Sequence, residues 1–262
     1  MNDPFAELKG PLAATTRMRL EVVENALLTP HMQRLVLTAP QLSDFGYRPG
    51  QDVMLMVAVD GDRPLRRRYT IRALDTSRRL LTLDIVRHGD GPGERWVRAA
   101  RPGEAIEGIG PRGKIFLADG ADWHLFAADE SGLAAVFAMV GALPPGARAI
   151  VFLEIPEPAD EQDLVTQAGV KLSWLHRISQ DGGSEGGGIP AAGDPAVLAA
   201  ALEAVALPPG AGHCYLFGEA RVVLRLREVL SARGVPDERA SAKAYWGRGR
   251  ANAQHGEPAR DS

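Results

Sequence analysis

The chain has 262 residues, a formal net charge of -3 and 45% hydrophobic residues, which is an ordinary composition for a globular protein of one or two domains. The near balance of 30 basic against 33 acidic residues argues against nucleic-acid binding through bulk charge. A single cysteine excludes disulfide scaffolds, cysteine-based zinc sites and protein-ligated iron–sulfur clusters, because each of these needs several thiolates.

The beginning of the chain gives an expectation about its location. Residues 1–10 contain acidic residues and a lysine but no apolar segment, so we expect no signal peptide. No apolar run approaches the length of a membrane span, so we expect none. These features favour a soluble, cytoplasmic protein. Any redox chemistry would then depend on a bound organic cofactor.

The first half of the chain predicts an antiparallel β-barrel. Short apolar or alternating runs recur between turn segments rich in Gly, Pro and Asp, which is typical of strands. Strands are predicted at residues 16–24, 33–39, 53–59, 67–74 and 80–86. In the last of these, Leu81, Leu83 and Ile85 share one face and are expected to point into the core. A short helix is predicted at residues 93–100.

In the second half of the chain, segments with apolar residues at helical spacing lie between the predicted strands. Strands are predicted at residues 124–128, 148–155, 171–178 and 213–218, and helices at 133–143, 196–207 and 221–233. This alternation indicates βαβ units on a parallel sheet. We therefore predict a β-barrel domain at residues 12–118 and an α/β domain at 119–250. Residues 181–194 are predicted to be a flexible loop, and 251–262 a disordered tail.

The sequence RRYTIR at residues 67–72 is the most distinctive local motif. On a strand, alternate side chains point the same way, so Arg67 and Tyr69 would share a face. An aromatic ring beside a guanidinium can stack on a planar ring while the cation binds a phosphate. The alternative interpretation is a charged edge strand, whose arginines lie in solvent and oppose aggregation.

The sequence HGDGPGERW at residues 88–96 leads from a predicted strand into a predicted helix. The N-terminus of a helix offers unpaired N–H groups and a positive dipole, which suit a pyrophosphate. The alternative is an ordinary loop before a helix, and the carboxylate of Glu94 counts against an anion at this place.

Two segments in the second half are further candidates. Residues 217–220, FGEA, end a predicted strand, and ligands of α/β sheets lie beyond the carboxyl ends of strands. Residues 243–250, KAYWGRGR, combine two aromatic and several basic residues, which suits an anion or a stacked ring. The alternatives are an ordinary strand-to-helix turn and a C-terminal strand with a solvated basic end.

Together these segments resemble the siderophore-interacting protein family, a branch of the ferredoxin reductase-like flavoproteins. The resemblance extends over roughly residues 16–250. It rests on RRYTIR (67–72), LDIVRHGDGPGERWVRAARPGE (83–104), GIGPRG (108–113), DWHLFAADESGLAAV (122–136), SWLHR (173–177), YLFGEARVV (215–223) and AYWGRGR (244–250).

The resemblance implies a FAD-binding barrel, an NAD(P)H-binding α/β domain and reduction of a ferric siderophore with NADPH or NADH as electron donor. The cofactor-binding residues it implies are Arg67, Tyr69, Thr70, Arg72, Asp84, Val86, His88, Gly91, Gly93, Trp96, Asp129, Ser131, Gly218, Glu219, Tyr245 and Trp246. The residues it implies for binding the anionic chelate are Lys243, Arg248 and Arg250. We assign no catalytic acid or base, because hydride transfer needs none, and no metal ligands.

The chain departs from the family pattern at two places. Ser or Thr is usual where Glu94 stands, so one hydroxyl–phosphate bond would be lost. The first α/β loop often reads DETALPAI, whereas residues 129–136 read DESGLAAV. Ser131 can supply the hydroxyl of the Thr, but the Pro is missing, which affects nicotinamide binding more than flavin binding.

Two alternative functions remain at this point. One is a general NAD(P)H:flavin or quinone oxidoreductase on the same fold, and the other is a siderophore-binding protein without catalytic activity. The sequence favours neither NADPH nor NADH. Arg177 could bind a 2′-phosphate, since an Arg near the ribose favours NADP, but our interpretation favours a surface residue.

Overall fold

The computed structural model describes residues 15–60, 63–87, 91–177 and 192–248. The chain divides into two units, Met1–Phe116 and Leu117–Ser262. Of the predicted segments, His88, Arg250, residues 251–262 and most of the loop at 181–194 lie outside the described residues. Across the described residues, no helix is long and apolar enough to cross a membrane.

The first unit is a closed barrel of six antiparallel strands in the order β1-β2-β5-β4-β3-β6, as predicted for this half of the chain. The strands are β1 (Thr16–Thr29), β2 (Met32–Thr38), β3 (Asp52–Asp60), β4 (Arg63–Asp75), β5 (Leu80–Val86) and β6 (Ala105–Arg112). Leu81, Leu83 and Ile85 lie in the barrel core, which confirms the alternation read from the sequence. Helix α1 (Pro92–Ala99) follows β5 and packs on the barrel through Val97.

Strand β6 closes the barrel, and the sequence did not predict it. The strand pairs with β1 on one side and with β3 on the other. A side chain at Gly108 would place its Cβ 2.8 Å from Leu20 Cδ1, and one at Gly110 would place it 2.8 Å from Val53 Cγ1. The closing strand therefore needs glycines, although glycine disfavours isolated strands.

The second unit is a parallel sheet of five strands in the order β11-β10-β7-β8-β9. The strands are β7 (Trp123–Asp129), β8 (Arg148–Ile155), β9 (Gly169–His176), β10 (Gly212–Glu219) and β11 (Ala240–Trp246). The helices are α2 (Leu133–Gly141), α3 (Ala196–Ala204) and α4 (Ala220–Ala232). The parallel sheet with helices confirms the predicted α/β class. Cys214 is a free, buried cysteine within this core.

One connection between parallel strands lacks the α-helix of a βαβ unit, and the sequence predicted no helix between the strands at 148–155 and 171–178. The segment between β8 and β9 contains a short 3-10 turn at Pro158–Asp160 instead of an α-helix. Pro156 and Pro158 lack the N–H groups that a helix would use, and several acidic residues follow them. The rest of this connection covers a cavity of about 430 Å³ beside β9, lined in part by Leu164, Leu172 and Trp174.

Candidate functional site

Strand β4 carries the motif predicted to bind the flavin. A Cβ added at Gly93 would lie 2.8 Å from Tyr69 Oη and 3.0 Å from Arg67 Cγ. The two side chains therefore share a face of β4, as the alternation predicts, and helix α1 lies directly against them. Burial raises the pKa of the Tyr69 phenol, despite an opposing effect of Arg67, so the ring stays neutral at physiological pH.

The N-terminus of α1 meets this face of β4 because Gly93 has no side chain. Gly91 precedes the helix in an extended conformation, and Pro92 occupies the first helical position, where its missing N–H costs nothing. Trp96 packs against the barrel core. The helix thus presents the positive end of its dipole beside Arg67 and Tyr69, in a setting that suits a phosphate group.

Glu94, the departure from the family pattern, is buried in the first turn of α1. Arg98 Nε donates a hydrogen bond to Glu94 Oε1 at 2.7 Å, and Arg87 Nε lies 3.9 Å from the same oxygen. The carboxylate at this helix N-terminus is therefore neutralised by two guanidinium groups rather than exposed to an incoming anion.

A set of ion pairs joins strands β2, β4 and β5 of the barrel. Arg34 donates from Nε and Nη2 to the two oxygens of Asp84, both at 2.7 Å, and Arg72 Nε lies 3.4 Å from Asp84 Oδ2. Asp84 is buried, and Thr70 is buried nearby in β4, while Val86 ends β5 half-buried. The pairing shows that the carboxylate of Asp84 already has two cationic partners within the barrel.

Asp129 joins three elements at the carboxyl edge of the parallel sheet. Its Oδ1 accepts hydrogen bonds from the backbone N–H and the hydroxyl of Ser131, at 2.9 and 2.5 Å. Its Oδ2 accepts from the backbone N–H of Glu219 at 2.8 Å and from Trp246 Nε1 at 3.0 Å. Burial, reinforced by the nearby charge of Glu130, raises the pKa of Asp129.

Gly218 and Glu219 lie at the end of β10, next to Asp129. A Cβ at Gly218 would lie 2.6 Å from Asp129 Oδ2, and the residue has φ +142, so only glycine fits here. Glu219 caps α4 by accepting hydrogen bonds from the N–H groups of Arg221 and Val222, at 2.5 and 3.1 Å. This edge lies between β10 and β7, where the strand order reverses, which is the ligand-binding crevice of open α/β sheets.

The basic and aromatic residues of β11 and of the segment that follows it divide between core and surface. Lys243 is only 5% exposed, and its Nζ lies 5.0 Å from the centre of the Tyr245 ring, which stacks on Phe217. Arg248 is exposed, and its backbone N–H donates to Glu219 Oε1 at 3.1 Å. Of the predicted chelate-binding residues that are described, Arg248 alone is exposed.

Arg177 corrects the interpretation of a surface residue, since it is only 7% exposed. Its Nη1 and Nη2 each donate to the carboxylate of Glu130 at 2.7 Å, and Nη1 also donates to Glu154 Oε1 at 3.1 Å. Glu154 lies near the end of β8, and burial raises its pKa to about 7 against the opposing effect of Arg177. Glu154 stands near the end of the strand predicted at residues 148–155, and a carboxylate at such a position was the signal that could have indicated this cluster.

The antiparallel barrel and the parallel α/β sheet define a ferredoxin reductase-like fold. The chain is similar in fold to ferredoxin-NADP+ reductase from Plasmodium falciparum, with a TM-score of 0.67 at 11% identity over 88% of this chain and 97% of that one. A siderophore utilization protein from T. fusca gives a TM-score of 0.77 at 31% identity, over 92% of this chain and 96% of that one.

The chain belongs to the siderophore-interacting protein family. The model of that family matches residues 121–249, and the model of its FAD-binding domain matches residues 57–115. The chain is 35% identical to an uncharacterized protein of Mycobacterium tuberculosis over 88% of this chain and 90% of that one. It is 29% identical to the ferric vibriobactin reductase ViuB of Vibrio cholerae over 88% of this chain and 89% of that one.

Proposed function

We propose that the chain is a FAD-dependent ferric-siderophore reductase, which passes electrons from NAD(P)H through FAD to siderophore-bound Fe(III) and releases Fe(II). The observation that carries this proposal is the close approach of the α1 N-terminus to Arg67 and Tyr69, on a barrel that matches the family's FAD-binding domain. The similarity to a ferric vibriobactin reductase supports the substrate class. Electrons from NAD(P)H would place the reaction in the cytoplasm.

The residues of the barrel fit FAD. The missing side chain of Gly93 lets the first turn of α1 approach the stem of Arg67, so that the N–H groups of this turn and the Arg67 guanidinium could together hold a pyrophosphate. Tyr69 is neutral and held by the core, so its ring offers a fixed surface for stacking. The pairs that Asp84 forms with Arg34 and Arg72 join strands β2, β4 and β5 of the same barrel.

FAD, when bound, supplies the ability to accept an electron pair from a nicotinamide and to donate electrons singly to iron. In this proposal the protein binds and orients. Asp129 holds Ser131, Glu219 and Trp246 in one arrangement at the crevice where the nicotinamide nucleotide would bind. Gly218 keeps the backbone close to that crevice without a side chain in the way.

The ferric chelate is the substrate, and its negative charge would be attracted by Arg248, with Arg250 as a further proposed contact. Fe(II) binds hard oxygen ligands more weakly than Fe(III), so reduction releases the metal. Attraction between exposed charges weakens with salt, since the Debye length falls to about 3 Å at about 1 M ionic strength. The KM for an anionic chelate should therefore rise with ionic strength.

The test is anaerobic reduction of the purified chain, reconstituted with FAD, by NADH and by NADPH in separate experiments. Bleaching of the flavin absorbance, followed by recovery on addition of ferric catecholate, hydroxamate or carboxylate complexes, is the expected result. Failure to retain flavin after reconstitution would overturn the proposal. Faster turnover with free flavins or quinones than with every ferric complex would favour a general flavin or quinone reductase instead.

A further inference from the structure

A buried ionic cluster lies at the carboxyl edge of the parallel sheet, outside the residues that the sequence assigned to cofactor binding. We name Glu130, Glu154 and Arg177 the Arg177 cluster. Its members come from the ends of β7, β8 and β9, which are neighbours in the sheet. In open α/β sheets this edge receives the ligand, and the end of the second strand receives the adenosine ribose of a dinucleotide.

The guanidinium of Arg177 is already occupied by carboxylates. Both of its terminal nitrogens donate to Glu130, each at 2.7 Å, which is the paired geometry that a phosphate would otherwise use. Nη1 of Arg177 also donates a hydrogen bond to Glu154 Oε1, at 3.1 Å. The side chain of Glu130 is 14% exposed against 5% for Arg177 and 2% for Glu154, so the outermost member of the cluster is a carboxylate.

The Arg177 cluster offers a phosphate no net positive charge at any pH near neutrality. With Glu154 protonated the cluster is neutral, and with Glu154 ionised it carries one net negative charge. Glu154 Oε2 is buried and accepts no hydrogen bond from the described residues, which agrees with a carboxyl that is easily protonated. A ribose 2′-hydroxyl can donate to the carboxylate of Glu130, whereas a 2′-phosphate would face it as a like charge.

We infer that the Arg177 cluster selects a nicotinamide nucleotide without a 2′-phosphate, so that the electron donor of this chain is NADH rather than NADPH. Glu130 is the specificity-determining residue, because its carboxylate accepts the hydrogen bonds from Arg177 that a 2′-phosphate would need. The inference rests on the proposed function for the identity of the donor class.

The test measures binding to the full chain by titration calorimetry, without flavin reduction as the readout. AMP and adenosine 2′,5′-bisphosphate differ only in the 2′-phosphate and are the probes. The unaltered chain should bind AMP at least about tenfold more tightly than the bisphosphate, which corresponds to about 1.4 kcal/mol. NADH and NADPH should show the same order. Tighter binding of the bisphosphate by the unaltered chain would overturn the inference without any variant.

Glu130→Gln tests the assignment to one residue. The variant keeps the shape of the side chain and leaves Arg177 its pair with Glu154, so affinity for the bisphosphate should rise about tenfold while that for AMP changes little. Glu228→Gln, which removes an exposed carboxylate of α4 paired with Arg225, is the control for net charge and should alter neither affinity. Unchanged or weaker binding of the bisphosphate by Glu130→Gln would overturn the inference.

Failure of this inference is distinguishable from failure of the proposed function. A chain that binds NADPH more tightly and still reduces ferric chelates contradicts the role of Glu130 alone. A chain that binds none of the four ligands (AMP, the bisphosphate, NADH and NADPH) contradicts both the role of Glu130 and the proposed function, because it would then use no nicotinamide donor.

Discussion

Replacement of Gly93 by alanine tests the contact between α1 and β4 that carries the proposed flavin site. Helix propensity alone favours the change, since alanine stabilises a helix over glycine by roughly 1 kcal/mol. The structure predicts the opposite sign. The new Cβ would lie 2.8 Å from Tyr69 Oη and 3.0 Å from Arg67 Cγ, both closer than ordinary van der Waals contact.

The steric cost of the added methyl group equals or exceeds the gain in helix propensity. The Tyr69 ring packs against the barrel core and cannot rotate away freely, so the added methyl group overpacks the contact, at a typical cost of about 1–3 kcal/mol. Net destabilisation of about 0–2 kcal/mol is therefore expected. Displacement of the α1 N-terminus from Arg67 should also weaken FAD binding by about tenfold, or about 1.4 kcal/mol.

The assays are quenching of FAD fluorescence on titration with the apoprotein and thermal unfolding of the same preparation. Gly46→Ala is the matched control, because a Cβ at that exposed position would contact nothing within 4 Å. It should leave FAD affinity unchanged. A Gly93→Ala variant with a higher melting temperature and unaltered FAD affinity would refute the close contact and the site built on it.

Three further changes have outcomes that follow from the contacts described. Asp129→Asn places an amide nitrogen among donors that need acceptors, so the free energy of unfolding in urea should fall by about 2–4 kcal/mol, and no change would contradict the network. For Glu154 the folded-state pKa of about 7 lies above the ordinary value of 4.5, so the folded chain binds more protons between these values. Its contribution to the unfolding free energy is therefore largest below pH 4.5 and falls, by at most about 3.4 kcal/mol, as pH rises from 4.5 through 7. Glu154→Gln should flatten this profile. Glu94→Ser removes a carboxylate from the α1 N-terminus and releases Arg98, so FAD affinity should rise about tenfold, whereas a loss of affinity would show that the carboxylate positions the site.

The sequence predicted those strands and helices whose own residues show a clear apolar period. Leu81, Leu83 and Ile85 point into the barrel core because their alternation admits no other buried face. The parallel sheet followed from the change of period in the second half. Strand β6 was missed because Gly108, Gly110 and Pro111 disfavour a strand, and its form comes from pairing with β1 and β3.

The environment of Arg177 could not be predicted from its own neighbourhood in the sequence. Its partners lie 47 and 23 residues away, at the ends of different strands. An isolated arginine after a strand is commonly exposed, and burial here depends on two carboxylates that tertiary structure brings together. Sheet order was the missing information, because it decides which strand ends are neighbours.

The buried position of Cys214 has a practical consequence for measuring iron reduction. The chain has one cysteine, and burial raises the pKa of its thiol to about 12, so almost none of it is thiolate at neutral pH. Thiolates are the form that oxidants attack, and this one is also shielded by the sheet and its helices. The protein can therefore be purified and assayed without added thiol reductants. Because such reductants themselves reduce ferric iron, their omission lets every ferrous ion detected be attributed to the nicotinamide donor.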